Sequence, residues 1–235
     1  MAFQGKNYLV VGASSGIGHD VARRLLAAGA TVFSASRRSP DGLAVARHLS
    51  FDATQPEPSV FNELPDVLHG LVYCPGTINL KPFQRLSPDE FKTDFQINVV
   101  GAVATLQACA ARLKKAEGAS VVLFSTVAAK VGMAFHGSVS ASKGAIEGLA
   151  KSLAAEWAPG LVRVNAVAPS LTDTPMGHFL VNTPEKAESS NKRHPLGRFG
   201  QPADVAVAVT FLLSDEAGWI SGQVVGVDGG MGTLK

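Results

Sequence analysis

"YLVVGASSGIG", residues 8–18, decides the fold of this chain. Tyr8–Val11 is apolar without alternation, as in a strand buried on both faces. Gly12-Ala13-Ser14-Ser15-Gly16-Ile17-Gly18 follows, and a helical pattern runs on to Ala28. Glycine at the first, fifth and seventh places of this turn lets backbone approach a pyrophosphate and lets helix pack on strand, while amides at the helix N-terminus face the anion. A phosphate cradle contacting Gly12, Ser14, Ser15, Gly16, Ile17 and Gly18 is therefore the first functional expectation.

Outward from this turn, short β-branched runs alternate with longer helical patterns. Tyr8–Val11, Thr31–Ala35, His48–Phe51, Gly70–Cys74, Ala119–Ser125, Val162–Ala168 and Gln223–Val227 read as strands. Such alternation predicts a Rossmann-type, doubly wound sheet of seven parallel strands in the order 3-2-1-4-5-6-7, with helices on both faces. The 235 residues fit one domain, 1–235, and leave no room for a second. Ser87-Pro88-Asp89-Glu90 combines a serine cap, proline at the first helical position and glutamate at the third, and opens a long helix reaching about Lys115. Small residues crowd 101–111 and 140–155, which suits either packing on the sheet or a subunit interface. The stretch 170–201 carries Pro175, Pro184 and Pro195 among polar residues and reads as an irregular substrate lid.

The end of the second strand selects the cofactor. Eighteen residues beyond Gly18, where an acidic residue would meet the ribose hydroxyls of NAD, the chain reads Ser36-Arg37-Arg38. A carboxylate there repels a 2′-phosphate, whereas a guanidinium grips one, so the expectation is NADP(H); the plain alternative is two solvated surface arginines. Asp52, after the third strand, either accepts from the adenine amino group or closes a local Asx turn.

Composition removes other classes of function. The net charge is +2 and the basic residues are scattered, leaving no stripe for nucleic acid and no basic amphipathic helix for a membrane. Cys74 and Cys109 are too far apart for a CxxC motif, no metal site is expected, and no signal-type apolar segment precedes the first strand, so a cytoplasmic protein is expected.

Together, the Gly12–Gly18 turn, Asp52, Gly76, Asn98 in "INVVG", the "SASKGAIEGL" helix, "VRVNAVAPSLTDTPM" and "ISGQVVGVDGG" resemble the classical short-chain dehydrogenase/reductase family across essentially the whole chain. The wording is most like the 3-oxoacyl-acyl-carrier-protein reductase branch. The resemblance implies a nicotinamide cofactor, further cofactor contacts at Ala53, Pro75, Gly76, Lys143, Pro169, Thr172 and Thr174, a carbonyl or alcohol substrate, and a homotetramer or dimer. Two departures are mild: Tyr73-Cys74-Pro75-Gly76 stands for Asn-Asn-Ala-Gly, and Pro169-Ser170 for Pro-Gly.

A third departure falls on the chemistry. The family's asparagine, serine, tyrosine and lysine map to Asn98, Thr126, Val139 and Lys143. Threonine keeps a hydroxyl and Lys143 can hold the nicotinamide ribose, but valine cannot act as a phenol. Positioned general-acid catalysis is worth ~10²–10⁴ in rate, so a replacement matters. His136, three residues before Val139, is the leading candidate because an imidazole titrates near neutrality; the plain alternative is a surface or cap-region histidine. Lys143 or a water held by Thr126 and Asn98 is the second. Loss of chemistry, leaving an NADP(H)-binding scaffold, is the third. Ser138 and Ser140 read as helix caps. Met133, Phe135, Met176, Phe179 and Leu180 suggest a partly apolar substrate.

Overall fold

In the computed structural model, which describes residues 3–234, the seven strands form a single parallel sheet in the order β3-β2-β1-β4-β5-β6-β7. They are β1 Asn7–Val11, β2 Thr31–Ser36, β3 Arg47–Ser50, β4 Gly70–Tyr73, β5 Ser120–Phe124, β6 Arg163–Pro169 and β7 Val224–Val227. Each lies within one residue of its expected bounds. Met1, Ala2 and Lys235 of the expected domain lie outside the described residues.

The helices are α1 Gly16–Ala27, α2 Pro88–Phe95, α3 Gly101–Lys114, α4 Val127–Lys130, α5 Gly137–Trp157, α6 Pro184–Lys192 and α7 Pro202–Leu213. Alternate strand residues face opposite layers. Leu9 and Val11 pack with Leu106 and Cys109 of α3 and Ile146 and Ala150 of α5. Tyr8 and Val10 pack with Val21 and Leu25 of α1 and Val205 and Val209 of α7. Because both faces are covered, β4 and β5 are buried at every residue, which explains unbroken runs such as "SVVLF". None of the described helices is long and apolar enough to cross a membrane.

The chain reverses direction of growth at β1, which pairs with both β2 and β4. This switch point opens a crevice at the carboxyl ends of the strands. The long helix expected from Ser87 is there, but not uniform: α2 and α3 are joined by a π-helical turn, Gln96–Val100. Ser87 and Glu90 close the expected capping box, with Glu90 N donating to Ser87 Oγ at 3.2 Å and Ser87 N to Glu90 Oε2 at 2.9 Å. Tyr73 Oη donates to the Ile97 carbonyl at 2.7 Å. That side-chain bond engages a carbonyl of the wide turn, and a Cβ on Gly101 would stand 2.2 Å from Tyr73 Oη, so only glycine lets the helix pass. The turn leaves Asn98 fully buried.

Two expectations change. Residues 170–201 are not wholly irregular: α6 lies within them, capped by Thr183 with Pro184 in its first turn. Ser138 and Ser140 are not caps, because α5 begins at Gly137 with His136 as its N-cap residue, which places both serines inside the first turn or so. Ser140 Oγ donates to the Ala128 carbonyl at 3.0 Å, and Ser138 Oγ is buried without a partner among the described residues. On α5, Ala141, Gly144 and Gly148 are exposed, and nothing lies within 4 Å of a Cβ placed on either glycine. That part of the small-residue surface is not used in packing within the chain.

Candidate active site

A cavity of about 450 Å³ opens at the carboxyl ends of the strands. Its wall brings together Gly12, Ser14, Ser15, Gly16, Ile17, Gly18, Ser36, Arg37, Asp52, Ala53, Pro75, Gly76, Thr126, His136, Lys143, Pro169, Thr172 and Thr174. Of the expected cofactor and catalytic residues Asn98 and Arg38 stand outside it; of the expected apolar residues Met133, Met176 and Leu180 line it, whereas Phe135 and Phe179 do not and are exposed.

At one end the wall is mostly backbone. Gly12 and Gly16 have φ of +83° and +58°, a region costly for side-chain-bearing residues. A Cβ on Gly18 would sit 2.3 Å from the Gly12 carbonyl oxygen. Ser15, the N-cap residue of α1, makes no side-chain cap, and the first turn carries no acidic residue, so orphan amides and the positive end of the helix dipole are left for an anion. These features fit a pyrophosphate. Beyond β2, Ser36 Oγ donates to the Arg38 carbonyl at 2.8 Å, closing a turn that leaves Arg37 on the cavity wall. Asp52 closes the local turn, its Oδ1 accepting from Thr54 N at 2.9 Å and Thr54 Oγ1 at 2.8 Å. These bonds, with Arg37 as a weaker influence, hold its carboxyl below the usual range. Its second oxygen is not used in that turn.

At the other end the wall is side chain. Lys143 is buried on α5, and desolvation pushes its ammonium down to about 8. The Cβ position of Gly76 lies 3.4 Å from Lys143 Nζ and 3.3 Å from Asn98 Oδ1, so lysine and asparagine converge behind this glycine. Asn98 Nδ2 donates to Thr77 Oγ1 and Ser142 Oγ, both at 3.0 Å, and its Oδ1 is buried with no partner among the described residues. A buried acceptor left without a partner is costly unless a ligand or water completes it. Thr126 Oγ1 caps α4, accepting from Ala128 N at 3.3 Å. Val139 is buried on the same wall. His136 precedes it, half-buried, with Nδ1–H donating to the Ala134 carbonyl at 2.7 Å. A carbonyl only accepts, so Nδ1 carries the proton and Nε2 is the nitrogen left for other partners. Phe135 adopts φ +69°, a strained value for an aromatic residue, and its carbonyl accepts from Lys81 N at 3.1 Å. That bent turn delivers His136 to the start of α5.

Several wall residues were not foreseen. Cys74 lies under the glycine turn, its Sγ 3.2 Å from a Cβ on Gly18, and burial raises its thiol to about 12. Ser142, next to Lys143 but behind the wall, accepts from Asn98, and could have been suspected as one face of α5 turns toward "INVVG". Ser170, Arg193 and His194 also reach the cavity, and the polar tail of α6 was the available signal.

Comparison with known proteins agrees with this geometry. Residues 12–232 match the family described as Enoyl-(Acyl carrier protein) reductase. L-xylulose reductase of Bos taurus is 33% identical over 235 residues, covering 96% of each chain. The 3-oxoacyl-[acyl-carrier-protein] reductase of Thermotoga maritima is 31% identical over 247 residues, covering 98% of this chain and 99% of the relative. Among solved structures, ligand-free aldohexose dehydrogenase of Thermoplasma acidophilum superposes with a TM-score of 0.90 at 30% identity, covering 99% of this chain and 96% of the other. A gluconate 5-dehydrogenase of Burkholderia cenocepacia in complex with NADP and tartrate gives a TM-score of 0.91 at 25% identity, with 99% and 97% covered. Matched in sequence and in fold along nearly its whole length, the chain belongs to the classical short-chain dehydrogenase/reductase family of oxidoreductases, which use nicotinamide cofactors.

Proposed function

We propose that the protein is an NADP(H)-dependent oxidoreductase of a small, partly apolar carbonyl or alcohol substrate, working with a proton donor other than tyrosine. One observation carries this reading: a single cavity joins the glycine cradle and Arg37 to Thr126, His136 and Lys143. When bound, the nicotinamide supplies or takes up hydride. The amides around Ser14, Ser15, Gly16 and Ile17 hold the pyrophosphate, Arg37 takes the 2′-phosphate, and Arg38 stands behind it as added positive charge. Asp52 has an oxygen left for the adenine amino group, with Ala53, Pro75 and Gly76 lining the adenosine. Lys143 holds the nicotinamide ribose, and Pro169, Thr172 and Thr174 flank the nicotinamide. The NADP-bound relative and the relatives named for xylulose and aldohexose support this class of reaction.

Thr126 orients the substrate oxygen through its hydroxyl. As the imidazolium, protonated on both nitrogens, His136 gives that oxygen the Nε2 proton and is left as the neutral ring, its Nδ1–H still held by the Ala134 carbonyl. Asn98 supports Lys143 from below and preserves the helix kink. His136→Ala should lower kcat for ketone reduction by ~10²–10⁴ and leave NADPH affinity unchanged. The competing reading, a non-catalytic NADP(H)-binding protein, is favoured by Val139, and under it no ketone or alcohol is turned over and His136→Ala changes nothing.

We further propose a homotetramer, or a dimer, formed through α3 and α5 in the cytoplasm. The exposed Ala141, Gly144 and Gly148 support it, since small residues let helices approach closely. Light scattering of dilute protein should return four or two chain masses, and a folded monomer would contradict it.

A further inference from the structure

Ser170 replaces a glycine of the family pattern at the carboxyl end of β6, and it does not stand alone. Its Oγ lies 2.9 Å from Nε2 of His194. His194 is 4% exposed, and its Nδ1–H donates to the Ser190 carbonyl at 2.7 Å. The carbonyl fixes the tautomer: the proton is on Nδ1, so Nε2 of the neutral ring can only accept, and it accepts the hydroxyl proton of Ser170. No carboxylate pairs with His194 among the described residues. A hydroxyl whose proton is committed in this way offers the cavity two lone pairs and no donor. Helix α6 brings the imidazole to this position, with His194 N bonded to the Asn191 carbonyl at 3.0 Å, and Thr172 Oγ1 donates to the Ser170 carbonyl at 3.1 Å, fixing the serine backbone.

The neighbour of this acceptor is Thr126. The two residues follow the paired strands β5 and β6, and Thr126 Oγ1 lies 3.5 Å from the carbonyl of Pro169, the residue before Ser170. Resting on the oxidoreductase reading above, we infer that Ser170, set by His194, is a subsite for a second hydroxyl of the substrate, which is therefore a vicinal diol in the oxidative direction and an α-hydroxy ketone in the reductive one. The reacting oxygen lies at Thr126, and the hydroxyl on the adjacent carbon donates to Ser170 Oγ. Ser170 contacts the substrate and His194 is a positioning residue.

The test needs no turnover, because an alcohol cannot react with the reduced cofactor. The NADPH complex is titrated with butane-2,3-diol and with butan-2-ol, following nicotinamide fluorescence. The wild-type complex should hold the diol at least ~10-fold more tightly, the worth of one buried hydrogen bond without a substitute. Ser170→Ala should bring the ratio close to one with NADPH affinity unchanged, and His194→Leu should lower it too. Should His194→Leu lose NADPH binding, the wild-type and Ser170→Ala ratios decide alone. Equal binding of the two alcohols, no detectable binding of either, or a preference that survives in Ser170→Ala overturns the subsite. A diol preference lost in Ser170→Ala, with wild type unable to reduce 3-hydroxybutan-2-one, would uphold the subsite and sink the oxidoreductase reading alone.

Discussion

The two ends of the cavity are built from different materials. At the phosphate end, the positive φ values fall on Gly12 and Gly16, and the ligand-facing atoms are backbone amides. At the proposed substrate end, the positive φ falls on Phe135, and the polar cavity-lining side chains include those of Thr126, His136, Lys143 and Ser170. Backbone recognition is exacting about shape and indifferent to side chain. Side-chain recognition can be exchanged one residue at a time, and Val139, where the family resemblance calls for a tyrosine, is the position at issue.

The largest expected effect attacks the rigid end. Gly18→Ala places a methyl 2.3 Å from the Gly12 carbonyl oxygen, a backbone atom that cannot swing aside. It should destabilise the fold by about 1–3 kcal/mol and weaken NADPH binding, measured by thermal unfolding and by titration. Next comes Arg37→Asp. Charge-assisted bonds to a phosphate are worth about 1.5–3 kcal/mol, so NADPH affinity should fall roughly 10–10²-fold, with NADH affinity unchanged or improved. Equal affinity of the wild type for both cofactors would remove Arg37 from the argument.

Lys143 sharpens the contrast through pH. Its folded pKa of about 8 lies below the ordinary 10.5, so between these values the unfolded chain holds the proton that the folded chain has released. Stability linked to this group therefore rises with pH across that window, and the cost of the buried charge is fully present below it. Lys143→Met should flatten the rise, stabilise the ligand-free protein at neutral pH and weaken NADPH binding, as expected of a group kept for function. Chemical denaturation from pH 7 to 10 checks it. Smallest in stability is Phe135→Gly. Relief of the left-handed strain roughly offsets the added chain entropy, so unfolding should move by less than about 1 kcal/mol, while kcat falls as His136 loses its fixed direction.

The same contrast explains what could be read from the sequence. The strands, their order and the glycine turn were legible because each depends on local pattern: continuous apolar runs, and glycines where backbone must come close. Helix α6 was equally local, with Thr183 as cap and Pro184 after it, but it was passed over among prolines. The π-helical turn was hidden, since its partner, Tyr73 at the end of the central strand β4, lies 24 residues from Ile97. The Ser170–His194 bond spans 24 residues and exists only because α6 folds back over β6. Asn98 stands behind the wall, bonded to Thr77 and, with Lys143, close behind Gly76.

The most direct test of a site rebuilt around valine is the rate of NADPH oxidation with 3-hydroxybutan-2-one, measured for the wild type and for Val139→Tyr. Val139 is 6% exposed, so a phenol added there takes space that the substrate and His136 use. The account predicts measurable reduction by the wild type and a lower rate in Val139→Tyr, with NADPH affinity preserved in both. No reduction by the wild type, and its appearance in Val139→Tyr, would contradict it and identify a cofactor-binding protein that lost its acid and left the remaining site intact.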